Sequence, residues 1–506
     1  MKKDEIRLQY SGFVVFAAQM LSIVTGLVFT LLLTRNMTQP EYGIWANIFD
    51  VIGYFLLLSG VFPFWTMRFV ARRQQGAAKT GLLANLFVSL IFLSLYVLIA
   101  PVLTHVFNIG PTYSIMYLIA GAQIVNMYLI VVLESILRAK KPQAIGYGLL
   151  IEEICKIVLA YTLIVILHQL FVGALLSLIL AATAQVLFYL RLTASEYRPR
   201  IQWNYIREWL KGSTVNLYNA AGTQLAALTI ILLFVYGGQA ARGDFQAAST
   251  YAAIIGYPLF LAYALYPRLL TKDSHEDVTF TLKTVLMFAI PLVTIILSVP
   301  QSLLTILNVH YSEATPILLL LTIDTFIVLI TQFYSSVIFG AEKLDEDAKI
   351  PFKQLVKSKI FKVFSLPYIQ AAITIPTSLY FLTQYSAGNS VLAAVIVVAA
   401  NLVAHTTMLL IQYAMMHNSV PVVFPWKSTG KYVSASVVAA IFLHFVPHPT
   451  TLLSTFIVVI VGALIYTSVL LAIDRDARKI VVAIWNEFES IDGKDENLTK
   501  KKRENG

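Results

Sequence analysis

The feature that most constrains this chain is a succession of apolar blocks, most of them about 20 residues or longer, joined by short polar stretches. A helix needs about 20 mostly apolar residues to cross a bilayer, and hydrocarbon leaves no alternative partner for the backbone N–H and C=O groups. Blocks fall near 12–34, 43–63, 82–105, 112–136, 143–167, 169–192 and 213–236. They continue near 246–270, 280–305, 315–339, 366–384, 388–415, 431–446 and 450–473. The chain reads as an all-α polytopic membrane protein with about fourteen transmembrane helices. Of its 506 residues only 13% are charged, against about 25% in soluble domains, so no sizeable aqueous domain is expected.

Charge sets the direction. With the N-terminus inside, 34 of the 37 Lys and Arg fall in inner segments; Arg35 and Arg242 lie in outer ones and Lys156 within a span. Positive charge concentrates on the cytoplasmic side of membrane proteins, so both termini are expected in the cytoplasm and the chain in the cytoplasmic membrane. The block before residue 34 is too long for a signal-peptide core and reads as a retained helix. The net charge of +10 belongs to this topology signal and to anionic headgroups; no nucleic acid is expected. Cys155 is the single cysteine, which excludes an intramolecular disulfide and a cysteine-cluster metal site. Trp203, Tyr205 and Trp209, interleaved with Arg198, Arg200, Arg207 and Lys211, read as an interfacial anchor. Phe352, Leu355, Val356, Ile360 and Phe364 keep helical spacing among lysines, giving a cytoplasmic amphipathic segment at 341–365.

A shift of 203 residues lays the first two helices on the seventh and eighth. Glu41-Tyr42 then matches Asp244-Phe245, Gly53-Tyr54 matches Gly256-Tyr257, and both copies end in a basic stretch. An even number of spans separates the copies, so the halves point the same way. The expected layout is a six-helix lobe at 1–200, a second at 201–420, two further helices at 421–473 and a cytoplasmic tail at 474–506.

Ionisable groups at mid-span cost about 2.5–3.5 kcal/mol each on insertion scales, so each needs a role. The fifth helix carries Glu152, Glu153 and Lys156, with Lys156 one turn from both acids. The arrangement is either an ion pair or a pair plus a spare carboxylate for substrate or proton. Asp324 on the tenth helix, His405 with Asn401 on the twelfth, and Asn219 on the seventh lie on polar stripes. One such group is ordinarily an interhelical hydrogen bond; stripes from both halves point to a hydrated cavity between them. Asp50 sits in the outer third of the second helix. The chain has no Gly-x-x-x-x-Gly-Lys phosphate loop and no His–carboxylate metal spacing in a loop, and Asn36-Met37-Thr38 hugs the membrane too closely for glycosylation.

The run Leu31-Leu-Leu-Thr-Arg-Asn-Met-Thr-Gln-Pro-Glu-Tyr-Gly-Ile-Trp45 resembles the end of the first helix in polysaccharide-exporting flippases of the multidrug/oligosaccharidyl-lipid/polysaccharide superfamily. Arg68-Phe69-Val70-Ala71-Arg72 and Tyr266-Pro267-Arg268 are similar to that family's closing stretches, although 237–246 lacks the usual Gly-aromatic pair. The resemblance implies two six-helix lobes facing each other in a V, with two extra C-terminal helices. It implies a non-enzymatic flippase that moves a polyprenyl- or dolichyl-diphosphate-linked oligosaccharide by alternating access, for polysaccharide or glycoprotein synthesis. Arg68, Arg72 and Arg268 stand at the inner mouth, where guanidinium groups offer paired donors to a diphosphate; Glu153, Lys156, Asn219, Asp324 and His405 are cavity candidates. Membrane lipids and the glycosyltransferases or polymerase of the pathway are the implied partners, with no cofactor and with coupling to H+ or Na+ left open. An ion-coupled drug exporter would carry an acid on the first helix, and 12–34 has none. A membrane glycosyltransferase or polymerase would need a large outer loop, also missing; a peptidoglycan-precursor transporter is hard to separate from the main reading.

Overall fold

A computed structural model of the protein describes residues 8–262, 275–341, 358–386, 388–417, 424–446 and 449–478. Arg268, most of the amphipathic segment 341–365 and the end of the tail lie outside the described residues. Among the described residues there is no strand. The first lobe comprises α1 (Leu8–Asn36), α2 (Gln39–Phe55), α3 (Val61–Ala71), α4 (Ala77–Val106), α5 (Pro111–Ala120), α6 (Ala122–Lys140), α7 (Gln143–Ala160) and α8 (Leu170–Thr193). α1 packs on α7, α7 on α8, α8 on α6, and α6 on both α3 and α4. A short helix, α9 (Trp203–Gly212), leads to the second lobe: α10 (Thr214–Leu232), α11 (Gly238–Ala252), α12 (His275–Ser298), α13 (Pro300–Leu307), α14 (Thr315–Ala341), α15 (Lys359–Tyr385) and α16 (Ser390–His417). There α10 packs on α15, α15 on α16 and α16 on α14. The last two helices, α17 (Trp426–Phe445) and α18 (Leu452–Ile473), attach through α17 to α12.

Every apolar block of the sequence falls on helix where it is described. By length and composition, nine segments among the described residues qualify to cross a membrane. Other blocks are helical but interrupted or more polar, so the number fourteen rests on the charge pattern. Phe87 and Leu98, 66% and 72% exposed, face outward as lipid-facing side chains do.

The matched stretches behave alike in one respect. α2 stops just after Gly53-Tyr54, and α11 tightens into a 3-10 stretch, Ala253–Ala262, around Gly256-Tyr257 and Pro258. A proline lacks the N–H that an α-helical turn needs, and glycine weakens a helix interior. Thr38 starts α2: it and Glu41 form a reciprocal cap, with the Thr38 N–H donating to the Glu41 carboxylate at 2.8 Å.

The buried core shows how the lobes meet. At the end carrying residues 29–52 and 233–255, one apolar cluster runs through both lobes, including Trp45, Ile48, Tyr117, Phe234, Tyr251 and Tyr311. Towards the opposite end the core divides. The second lobe keeps Leu286, Phe333, Val337 and Met416 to itself. One group joins Phe62 and Phe69 of α3 to Trp209 of the linker helix α9, and another, within the first lobe, surrounds Leu133, Val186 and Tyr189. The lobes are thus joined at one end and part at the other, as the arms of a V.

Candidate functional site

Among the described residues, each lobe holds a buried ionisable pair of its own. In the first, Lys156 and Glu153 on α7 lie 2.5 Å apart, one turn along the helix. Thr25 of α1 donates to the same Glu153 oxygen at 2.5 Å, and the Lys156 ammonium lies 6.0 Å from the centre of the Phe29 ring. A buried charge is tolerated when paired and hydrogen-bonded, and this pair has both. Glu152, the other acid of the stripe, is half-buried one residue away.

In the second lobe, His405 of α16 and Asp324 of α14 meet at 2.7 Å between imidazole Nδ1 and carboxylate Oδ1. They line a cavity of about 330 Å³ walled by α10, α11, α14, α15 and α16. Its polar lining also includes Thr223, Thr229, Gln370 and Asn401, and the Gln370 amide donates to Asn401 at 3.1 Å. Asn219 is half-buried on α10 one turn from this wall, and its carbonyl accepts from Thr223 at 3.0 Å. Asp324 and His405 are thereby brought together, whereas Glu153 and Lys156 belong to the other lobe.

Between the lobes the joined end is held by polar bonds. Arg242 of α11 forms a paired salt bridge with Asp50 of α2, at 2.7 and 3.0 Å. The Arg242 side chain is 5% exposed and its guanidinium also stands 5.4 Å from the centre of the Phe245 ring. Gln39 donates to the buried Asp244 carboxylate, whose other oxygen accepts from Ser390 at 3.0 Å. Arg35 donates to the Ile306 carbonyl at 3.0 Å. Here α2 and α11 cross so closely that a Cβ at Gly43 would collide with the Gln239 carbonyl, and one at Gly243 with the Gln39 carbonyl. The contact is reciprocal, with Gln39 and Gly43 facing Gln239 and Gly243. Its spacing is 200 residues, three fewer than the offset that aligns the sequence. The aligned acids accordingly differ in role: Glu41 caps α2 and accepts from Tyr113 at 2.6 Å, while Asp244 ties the lobes together. Burial pushes the Glu41 carboxyl up, but the bonds from Tyr113 and Thr38 outweigh it and hold the group below the usual glutamate range.

Towards the parted end, Gln224 of α10 donates to the Gly53 carbonyl at 3.0 Å, and Trp65 donates to Ser213 at 2.9 Å. Arg68 lies over the Phe64 ring at 4.2 Å and, with the exposed Arg72, lines a groove of about 340 Å³ shared with Tyr205 and Glu208 of α9. These arginines therefore gather at the junction of α3 and the linker helix, separate from the Asp324–His405 cavity.

Sequence reasoning passed over Arg242, because an outer-loop position drew it into the charge count. An acid at Asp50 with no basic neighbour on its own helix was the available signal. Thr25 gave none, since hydroxyls on apolar helices are common and bond their own backbone.

No family model matches the chain, and no curated protein matches it. Solved structures do. A lipid II flippase, MurJ, in its inward closed conformation aligns with a TM-score of 0.66 at 16% identity, over 92% of this chain and 99% of that one. An inward-facing multidrug resistance MATE family transporter of the MOP superfamily aligns at 0.59 and 13%, over 80% and 98%. A MATE structure in complex with MaL6 gives 0.54 and 13%, over 80% and 95%. The chain shares the fold of these solved structures, a lipid II flippase and MATE transporters.

Proposed function

We propose that this protein is a flippase that carries a polyprenyl- or dolichyl-diphosphate-linked oligosaccharide across the cytoplasmic membrane by alternating access. The observation that carries the reading is the pairing of lobes locked at one end and parted at the other with a buried ionisable group in each. A charged diphosphate and its sugars need a polar path, while the lipid tail stays in hydrocarbon; a cleft between two lobes supplies the first without closing off the second. Alternation then consists of releasing the Arg242–Asp50 end and bringing the parted ends together. On this reading the lobes are 1–200 and 201–420, residues 421–473 are accessory helices, and both termini face the cytoplasm. Arg68, Arg72 and Arg268 recruit the diphosphate at the inner mouth, and Asn219 borders the path inside. The protein performs no covalent chemistry, and it works beside the glycosyltransferases or polymerase that make and use its cargo.

The test is depletion of the protein in its host with leaflet-resolved labelling of lipid-linked oligosaccharide. The glycolipid should accumulate on the inner leaflet; normal arrival at the outer face ends the proposal. Replacing Arg72 and Arg268 together by glutamine should slow transport without lowering the amount of inserted protein. Unchanged flux removes both from the site.

A further inference from the structure

A larger cavity lies away from both ionisable pairs. It is a groove of about 630 Å³ where the linker helix α9 meets α3, α4 and α10. The first lobe supplies Leu58 from the turn after α2, Val61 and Phe62 from α3, and Leu83, Phe87 and Leu90 from α4. Trp203, Ile206 and Leu210 come from α9, and Leu217 from α10. We propose that this groove seats one chain of an anionic phospholipid whose phosphate rests on Arg207 and Lys211, and that the seated lipid holds the lobes in their parted arrangement. The proposal concerns a resident lipid of the bilayer and is independent of the cargo.

The lining selects the class of occupant. Apart from the indole of Trp203, the one polar side chain among the described lining residues is Thr80, whose hydroxyl already accepts from the Gln202 N–H at 2.9 Å. Water and soluble polar ligands find no partners there, whereas a hydrocarbon chain needs none. Leu83, Phe87 and Leu90 are exposed and continue the groove into the lipid-facing surface of α4. Hydrocarbon by itself gains little from a groove over the bilayer, so selection falls to the head of the lipid. Along α9, Trp203, Ile206 and Leu210 are spaced three and four residues apart and form one stripe. Tyr205 and Trp209 flank it on one side and pack edge-on against Phe69 of α3. Arg207 and Lys211, one turn apart and each next to a groove residue, flank it on the other, and both are exposed. No acid among the described residues is paired with either. Glu208 faces the separate groove of Arg68 and Arg72, and Glu196 is taken by Lys140 at 3.4 Å. The groove is also tied to the lobes. Gln202–Thr80, Tyr205–Gln75 and Trp65–Ser213 fasten α9 to the first lobe, and Ser213 leads directly into α10. Leu217, one turn further on, is the second lobe's part of the wall. Rocking about Ser213 therefore reshapes the groove, and an occupant that fits it as it stands favours the parted arrangement.

The experiment uses the full chain with two lipids, phosphatidylcholine and phosphatidylglycerol. Native mass spectrometry from detergent counts the lipid retained per chain. Spin labels on Ser195→Cys and Ala414→Cys, in a Cys155→Ser background, report the lobe distance in nanodiscs. Wild type should retain one phosphatidylglycerol in preference to phosphatidylcholine by about thirtyfold, as two basic groups near a membrane surface provide. Adding phosphatidylglycerol to phosphatidylcholine nanodiscs should enlarge the population with the longer label distance. Arg207→Gln with Lys211→Gln should lose both effects, while Lys427→Gln with Arg478→Gln, an equal loss of charge elsewhere, should lose neither. Leu210→Trp, which fills the groove, should lower retention by about tenfold; Leu83→Trp fills it from α4 and serves if Leu210→Trp does not insert. Equal retention of the two lipids, or retention unchanged in the Arg207 and Lys211 double variant, overturns the proposal. So does an equal loss in the Lys427 and Arg478 control, which leaves general surface charge as the cause. Retention that survives both tryptophans places the chain outside the groove and overturns it as well. Displacement of phosphatidylglycerol by an equal amount of polyprenyl phosphate overturns the choice of occupant and gives the groove to the chain of a lipid carrier. Retention with no change in label distance overturns the hold on the lobes.

Discussion

The two ends of this molecule are built on opposite plans. At the joined end, α2 and α11 meet backbone to backbone, a shared apolar core closes around them, and Arg242–Asp50 and Gln39–Asp244 cross from lobe to lobe. Towards the parted end the core divides, and apart from Gln224–Gly53 the described bonds between the lobes come from the linker stretch 202–213: Trp65–Ser213, Gln202–Thr80 and Tyr205–Gln75. Apolar packing gives little drive to associate in lipid, so lobe contact has to come from close backbone approach and polar bonds. The end that has both is shut.

Breaking the Arg242–Asp50 pair from one side should have the largest effect. Arg242→Leu leaves the Asp50 carboxylate uncompensated, at a cost of about 3–5 kcal/mol for a buried pair. Thermal unfolding in detergent should register the loss, and a double change with Asp50→Leu should recover most of it. If the single change is neutral, the joined end is not held by charge. Gly43→Val should follow, at about 1–3 kcal/mol from forced overpacking against the Gln239 carbonyl. It should also make a cysteine placed at Thr34 reactive to a membrane-impermeant thiol reagent, and continued protection of that cysteine would show that the crossing survives the extra carbons.

At the other end, Trp65→Phe removes one neutral hydrogen bond and should cost about 0.5–1.5 kcal/mol without changing labelling at position 34. A larger effect there would narrow the contrast between the ends. The smallest effect concerns the cap. Because the folded Glu41 carboxyl lies below its ordinary value of 4.5, the stability it contributes is present above that value and is lost as pH falls through the lowered one. Tyr113→Phe removes a bond that lowers it, so the folded value moves up towards the ordinary one and the loss of stability between pH 6 and pH 3 should shrink in melting curves.

How much of this was legible beforehand depends on the range of the interaction. Apolar blocks and flanking basic residues are local, and they gave the helical lobes and the repeat. Glu153 and Lys156 were readable as a pair because one turn separates them. Asp324 and His405 each stood out as polar groups on apolar helices, but they are 81 positions apart, and nothing in one sequence says that α14 and α16 are neighbours. Arg242 and Asp50 failed for the same reason with a further obstacle: a rule about loop charge had already absorbed the arginine. The offset of 203 aligned side chains of similar type, whereas the actual crossing follows the two Gln-x-x-x-Gly spacings, which are only visible once two backbones touch.

That crossing also limits how the lobes can part. Sliding α2 by one residue along α11 sets Tyr42 or Ile44 against the carbonyl that Gly43 admits, and the reciprocal clash arises at Gly243. Shear is therefore closed to this interface, which has a single register and fits in that register or not at all. A helix pair of this kind works as a latch with two positions, so a population caught between them should be short-lived and sparsely occupied.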